Sequence, residues 1–244
     1  MRIGAIFIVA MVALGLLICG VADGEQSAGA VFIGNGSLCW IFQIMFIGIM
    51  TGMICAGDFG EKDLNYEMMN GHSRLSIYLA RVILCVGLTS LVATVLAFVP
   101  IISTAAVFGW GERISAADIC IRLALFFFPF MRIAAFFAML SFIIKKQAAI
   151  ITIGFITEMA CVIFNELLEN KVGYMFGVFN LTELMKVGKF ELYNVVPGTG
   201  VVSYRLYEGN VDPGLIAGTI IVSFMMTAIY LAAGYAFFRK DDVD

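Results

Sequence analysis

Six apolar runs set the terms for everything else this chain can do. They fall at about 3–21, 38–56, 76–98, 119–144, 148–164 and 215–238. The hydrocarbon core of a bilayer, about 30 Å thick, takes about 20 residues of helix to cross. Inside it no water is present to satisfy backbone N–H and C=O groups, so a spanning segment forms its own hydrogen bonds as a helix. The expected fold is an all-α integral membrane protein with six transmembrane helices, folded as one transmembrane domain over 1–244. Composition agrees: 61% of the 244 residues are hydrophobic and 14% charged, too few charges to cover a soluble surface. The net charge of −3, with no basic stripe, excludes a nucleic-acid partner.

Six spans place both termini on one side. Arg2, Lys62, Arg74, Arg81, Lys145, Lys146, Arg239 and Lys240 all fall on that side beside span ends, whereas the opposite short loops hold chiefly Arg113. The positive-inside rule then puts both termini in the cytoplasm of a cell whose plasma membrane the chain crosses. The 165–213 segment becomes external. Within it, 172–185 is apolar and aromatic but too short to span, and reads as an interfacial or re-entrant helix. Val196-Pro197-Gly198-Thr199-Gly200 is a turn, and the Tyr-rich stretch that follows suits an extended conformation.

Between the second and third runs lies the densest charge in the first half of the chain, 57–75. Asp58 can cap a helix, with Glu61 three residues on in capping-box position. Glu67 follows, Asn70-Gly71 supplies a left-handed stop, and Ser73 caps a second helix opened by Arg74. The pattern reads as a short polar cytoplasmic helix, a sharp turn, and a membrane helix.

Two charges sit near the middle of spans, Arg132 in the fourth, which also carries Arg122 near its start, and Glu158 in the fifth. Pro129 places a kink in the fourth span, and the brief Lys145-Lys146 link makes these two helices an antiparallel hairpin. Arg132 lies 14 residues before Lys146 and Glu158 lies 12 after it. At ~1.5 Å per residue their depths differ by only about 3 Å, so the two can form an intramembrane ion pair. In the second span, Gly48, Gly52 and Ala56 recur at four-residue spacing, a small-residue face suited to helix packing within the chain or to a dimer contact. The third span is expected to end at Pro100. Six scattered cysteines and the single histidine, His72, give no metal site.

The layout resembles the permease subunit of an ATP-binding-cassette exporter of the six-span, type-2 kind. The resemblance rests on an acidic position (Asp58 or Glu61), then Glu67, Gly71-His72-Ser73-Arg74 and Arg81 between spans two and three, and on short re-entrant helices before span six. In that family an amphipathic helix precedes the first span, where this sequence has Met1-Arg2. The resemblance implies that Asp58, Glu61, Glu67, Gly71, Ser73 and Arg74 couple the chain to a separate nucleotide-binding ATPase, and that a second permease copy completes the pathway. ATP and Mg would belong to the ATPase, since this sequence has no G-x-x-x-x-G-K-[ST] loop. The chain itself is expected to be no enzyme and to hold no cofactor. Small bacterial members of the family handle hydrophobic or amphipathic peptides, in toxin or bacteriocin export or self-immunity. A secondary transporter or channel using Arg132 and Glu158 is the alternative, against which stands the lack of symmetry between halves and of paired broken spans. A membrane-embedded structural subunit is the third reading.

Overall fold

The computed structural model describes residues 9–10, 12–13, 28–56, 73–110, 115–167, 177, 181, 184, 192–195, 202–204 and 213–240. Helix α1 (Ala28–Thr51) runs into a π-helical turn at Gly52–Ala56; α2 is Arg74–Phe108, α3 Ala116–Leu125, α4 Phe127–Ile144, α5 Gln147–Leu167 and α6 Pro213–Lys240. Among the described residues, four stretches are long and apolar enough to cross a membrane: Arg74–Phe108, Ala116–Ile144, Gln147–Phe164 and Pro213–Arg239. Trp40–Cys55 is a shorter apolar stretch. In the first expected span, Val9, Ala10, Val12 and Ala13 are helical; its other residues lie outside the described set, as do Asp58, Glu61, Glu67 and Gly71.

Each helix boundary has a local cause. Ser73 caps α2, its hydroxyl accepting from the Ser76 N–H at 3.2 Å, and Gly109 ends it with φ of 82°. Contrary to expectation, α2 does not stop at Pro100 but continues to Phe108. The residues beyond the proline, IISTAAVF, remain apolar, and proline is tolerated inside helices of this apolar kind. The Ser103 and Thr104 hydroxyls donate one turn back to the Pro100 carbonyl, a local bond that such side chains make along helices. The fourth expected span breaks at Phe126, between α3 and α4. Pro129 lacks the N–H that would bond the Leu125 carbonyl, and its ring crowds that carbonyl. Lys145, in the left-handed conformation, reverses the chain between α4 and α5.

Helix α4 is the centre of the bundle. It packs against α1, α2, α3, α5 and α6, and Phe130, Ile133, Ala134, Ala135, Phe137 and Ala138 are all buried. A helix apolar all round has no face to give to water, so burial on every side is its stable solution.

The helices alternate in direction. At one end Arg74 Nη1 donates to the Arg239 carbonyl at 3.3 Å, joining the start of α2 to the end of α6. Beside it Tyr78 donates to the Leu231 carbonyl at 2.6 Å and stacks among Phe142, Tyr235 and Phe238. Phe142 brings the Lys145-Lys146 turn to this basic end. At the opposite end the Ala28 and Gly29 N–H groups donate to the Gly109 and Trp110 carbonyls.

Every membrane-length element is helical. The 165–213 segment adds a two-stranded antiparallel pair, β1 (Leu192–Val195) with β2 (Val202–Tyr204), pairing Leu192 with Tyr204 and Val195 with Val202 around an irregularity in register. These strands depart from the expected all-α chain, and β2 lies in the Tyr-rich stretch that suits extension; the turn expected at 196–200 lies outside the described residues.

Candidate functional site

A cavity of about 210 Å³ opens where α4, α5 and α6 converge with Gly177 of the 165–213 segment. Its wall is Arg132, Ile133 and Phe136 from α4, Thr157, Glu158 and Cys161 from α5, Met226 and Tyr230 from α6, and Gly177. The α4–α5 hairpin carries Arg132 and Glu158 to the same level because its turn takes only two residues. Close packing of the two helices depends on Gly154, since a Cβ there would overlap the Phe137 ring.

Arg132 is 1% exposed and Glu158 7%, yet both border the cavity. The expected direct ion pair between them is not formed in this structure: among the described residues no hydrogen bond or ion pair reaches the Glu158 carboxylate. The two charges instead share the wall of one cavity. The counting of depths placed the residues correctly but carried no information on which way each helix turns its side chains. Thr157 is occupied with the Ile153 carbonyl at 2.8 Å. Phe136 and Tyr230 lie ring against ring across the α4–α6 contact, with centroids 5.5 Å apart.

Gly177 of the 165–213 segment packs against α4. A Cβ on Gly177 would stand 2.8 Å from Ile133 Cγ1 and 3.5 Å from Arg132 Nε, so a glycine is needed for the backbone to come so close. Further along, Leu181 and Leu184 are buried and helical, and the Leu184 carbonyl accepts from Arg122 Nη1 at 3.0 Å. Arg122 is held from its other side by Asp118, one turn earlier, at 2.9 Å. Residue 177 thus packs beside residue 132, and the residue 184 carbonyl meets residue 122.

The other sequence-derived positions are separate from the cavity. Ser73 and Arg74 stand at the basic end of α2, fully engaged in the cap and in the bond to Arg239. Gly48 and Gly52 face inward: a Cβ on Gly48 would lie 2.8 Å from Phe137 Cε1, and one on Gly52 3.2 Å from Gln147 Cγ. Both sit against α4 and α5 of the same chain, so their part of the stripe serves internal packing; the side chain of Ala56 lies outside the described residues. Tyr230, Cys161 and Met226 were not singled out in the sequence. Tyr230 lies 9 residues before Arg239, so counting depth inward from the basic flank of the last span would have brought it near the level of Glu158. Among the described residues no group of three or more His, Cys, Asp or Glu side chains is placed to hold a metal ion. Comparison with protein-family models and with curated proteins finds no match to this chain.

Proposed function

We propose that this chain is the permease subunit of an ATP-driven exporter, working with a separate ATPase and a second permease copy, and moving a hydrophobic or amphipathic peptide. The observation that carries this reading is the arrangement of the basic end. The charged segment 57–72 joins the helix ending at Ala56 to the one starting at Arg74, and Arg74 is bonded to the last helix of the chain. Lys145, Lys146 and Arg239 gather at that same end. By the positive-inside rule this end faces the cytoplasm, where an ATPase is found. A force applied to the segment reaches both α2 and α6 directly. Completion of a six-span topology by 3–21 and 38–56 belongs to the same proposal.

The test is co-expression with a P-loop ATPase encoded beside this chain, followed by purification on the permease. Co-purification with ATPase stimulation supports the reading. A permease recovered alone, with transport that proceeds without ATP, would overturn it. One observation favours the secondary-transporter alternative: the Glu158 carboxylate opens on a cavity with no bonded partner among the described residues. Proton-coupled flux in the absence of any ATPase is its distinguishing result.

A further inference from the structure

We infer that the cavity at the α4–α5–α6 junction is a binding site for a primary ammonium group carried on an apolar body, with Glu158 as its acceptor. This names what the pathway holds, and it rests on the permease reading only for the direction in which such a ligand would move.

The starting point is the Glu158 carboxylate, nine-tenths buried within a helix bundle and without a hydrogen-bond donor among the described residues. The Arg132 charge on the same wall offsets part of the cost of burying this carboxylate, but it supplies no hydrogen bond to it, and a carboxylate buried without donors remains costly. The cost is removed when a cation enters and supplies N–H donors. The rest of the wall suits an organic cation rather than a hydrated metal ion. Phe136 and Tyr230 present aromatic rings, which attract a cation over their faces. Met226 and Ile133 add polarisable and aliphatic surface for an alkyl chain. A metal ion would need several oxygen ligands, whereas the wall offers one carboxylate, with the Thr157 hydroxyl already donating to a backbone carbonyl.

Arg132 sets the selectivity. Its guanidinium borders the same cavity, so a second positive charge on the ligand would meet repulsion across a low-dielectric space. The site therefore favours a monoammonium over a diammonium of the same length. The cavity volume, about 210 Å³, admits a short alkyl chain or one side chain, not a folded peptide. Two natural sources share this chemistry: a lysine or N-terminal ammonium of an amphipathic peptide, and the amine headgroup of a lipid.

The experiment uses the full chain in nanodiscs of phosphatidylcholine, which has no primary amine. Hexylammonium, hexanol and hexane-1,6-diammonium are the probes, and the readout is protection of Cys161, in the cavity wall, from maleimide labelling in a Cys120→Ser background. Hexylammonium should protect saturably, the diammonium more weakly, and hexanol not at all. Glu158→Gln should weaken protection about tenfold or more, because it replaces a charge-assisted bond by a neutral one. Equal protection by hexanol and hexylammonium, or undiminished protection in Glu158→Gln, overturns the inference. Labelling that varies with pH alone and ignores the amine also overturns it, leaving a proton site. If Glu158→Gln fails to insert, the comparison of the three probes on the Cys120→Ser chain still decides. Repeating the assay with phosphatidylethanolamine in the disc, and with a short amphipathic peptide acetylated or free at its amines, separates the sources. Competition by the lipid identifies the headgroup, and competition by the free peptide alone identifies a peptide. Neither outcome bears on the ATPase, so the permease reading can fail while the site stands.

Discussion

The Phe137 ring fills a space that exists only because two residues have no side chain. It sits between Gly154 on α5 and Gly48 on α1, and a Cβ on either glycine would enter its van der Waals envelope. Gly154→Ala is therefore expected to lower stability by about 1–3 kcal/mol, the usual cost of an overpacked core. Adding Phe137→Leu should recover part of that loss, and thermal unfolding of the two variants in detergent checks it; no recovery would mean that the ring is not what the methyl meets. Tyr78 gives a second residue-scale expectation. Its hydroxyl donates to the Leu231 carbonyl at 2.6 Å, so Tyr78→Phe should cost about 0.6–1.5 kcal/mol while leaving the ring stack intact. An unchanged melting temperature would show that this bond adds nothing to the α2–α6 contact. Arg132 and Glu158 were legible in the sequence because a charge inside an apolar run is conspicuous. Tyr230 and Cys161 were not, since their membership of the cavity depends on helix rotation, which a linear count does not contain.

At the level of elements, the turn at Phe126 separates α3, whose Arg122 meets the Leu184 carbonyl, from α4, whose Arg132 borders the cavity. Pro129→Ala restores an N–H that can bond the Leu125 carbonyl, so α3 and α4 should fuse into one straighter helix. Arg122 would then be displaced from the Leu184 carbonyl. The expected result is greater helical circular dichroism with a lower melting temperature, an unusual combination because removing proline from a helix ordinarily stabilises it. Unchanged values for both would show that the break does not depend on the proline. Two prolines in the sequence thus have different consequences. Pro129 lies in the first turn after the break at Phe126, while Pro100 is carried through within α2. Sequence reading treated both as punctuation, and the helix ended at neither proline itself.

For the whole molecule, the sharpest expectation concerns sidedness. The Lys145-Lys146 turn and Ser115 stand at opposite ends of the bundle, so Lys146→Cys and Ser115→Cys should react with an impermeant thiol reagent from opposite sides of sealed vesicles. Labelling of both from one side would remove the topology altogether. Glu67→Ala should leave insertion and labelling unchanged but abolish stimulation of a co-purified ATPase; full stimulation would exclude that residue from coupling. Apolar runs made the helical class readable from sequence, because membrane burial is written in composition as well as in pattern. The place of the 172–185 stretch was less so: the sequence left the interfacial and re-entrant courses open, and nothing in its spacing told that Gly177 would stand beside Arg132. One further consequence follows from α2, whose 35 residues give a rod of about 52 Å, well beyond the thickness of hydrocarbon. Its lower end is pinned to the tail of α6 and its upper end to the first turn of α1. A single helix thus ties the end of the chain's last helix to the start of α1 across the full height of the bundle, so a change at either tip has a covalent path to the other.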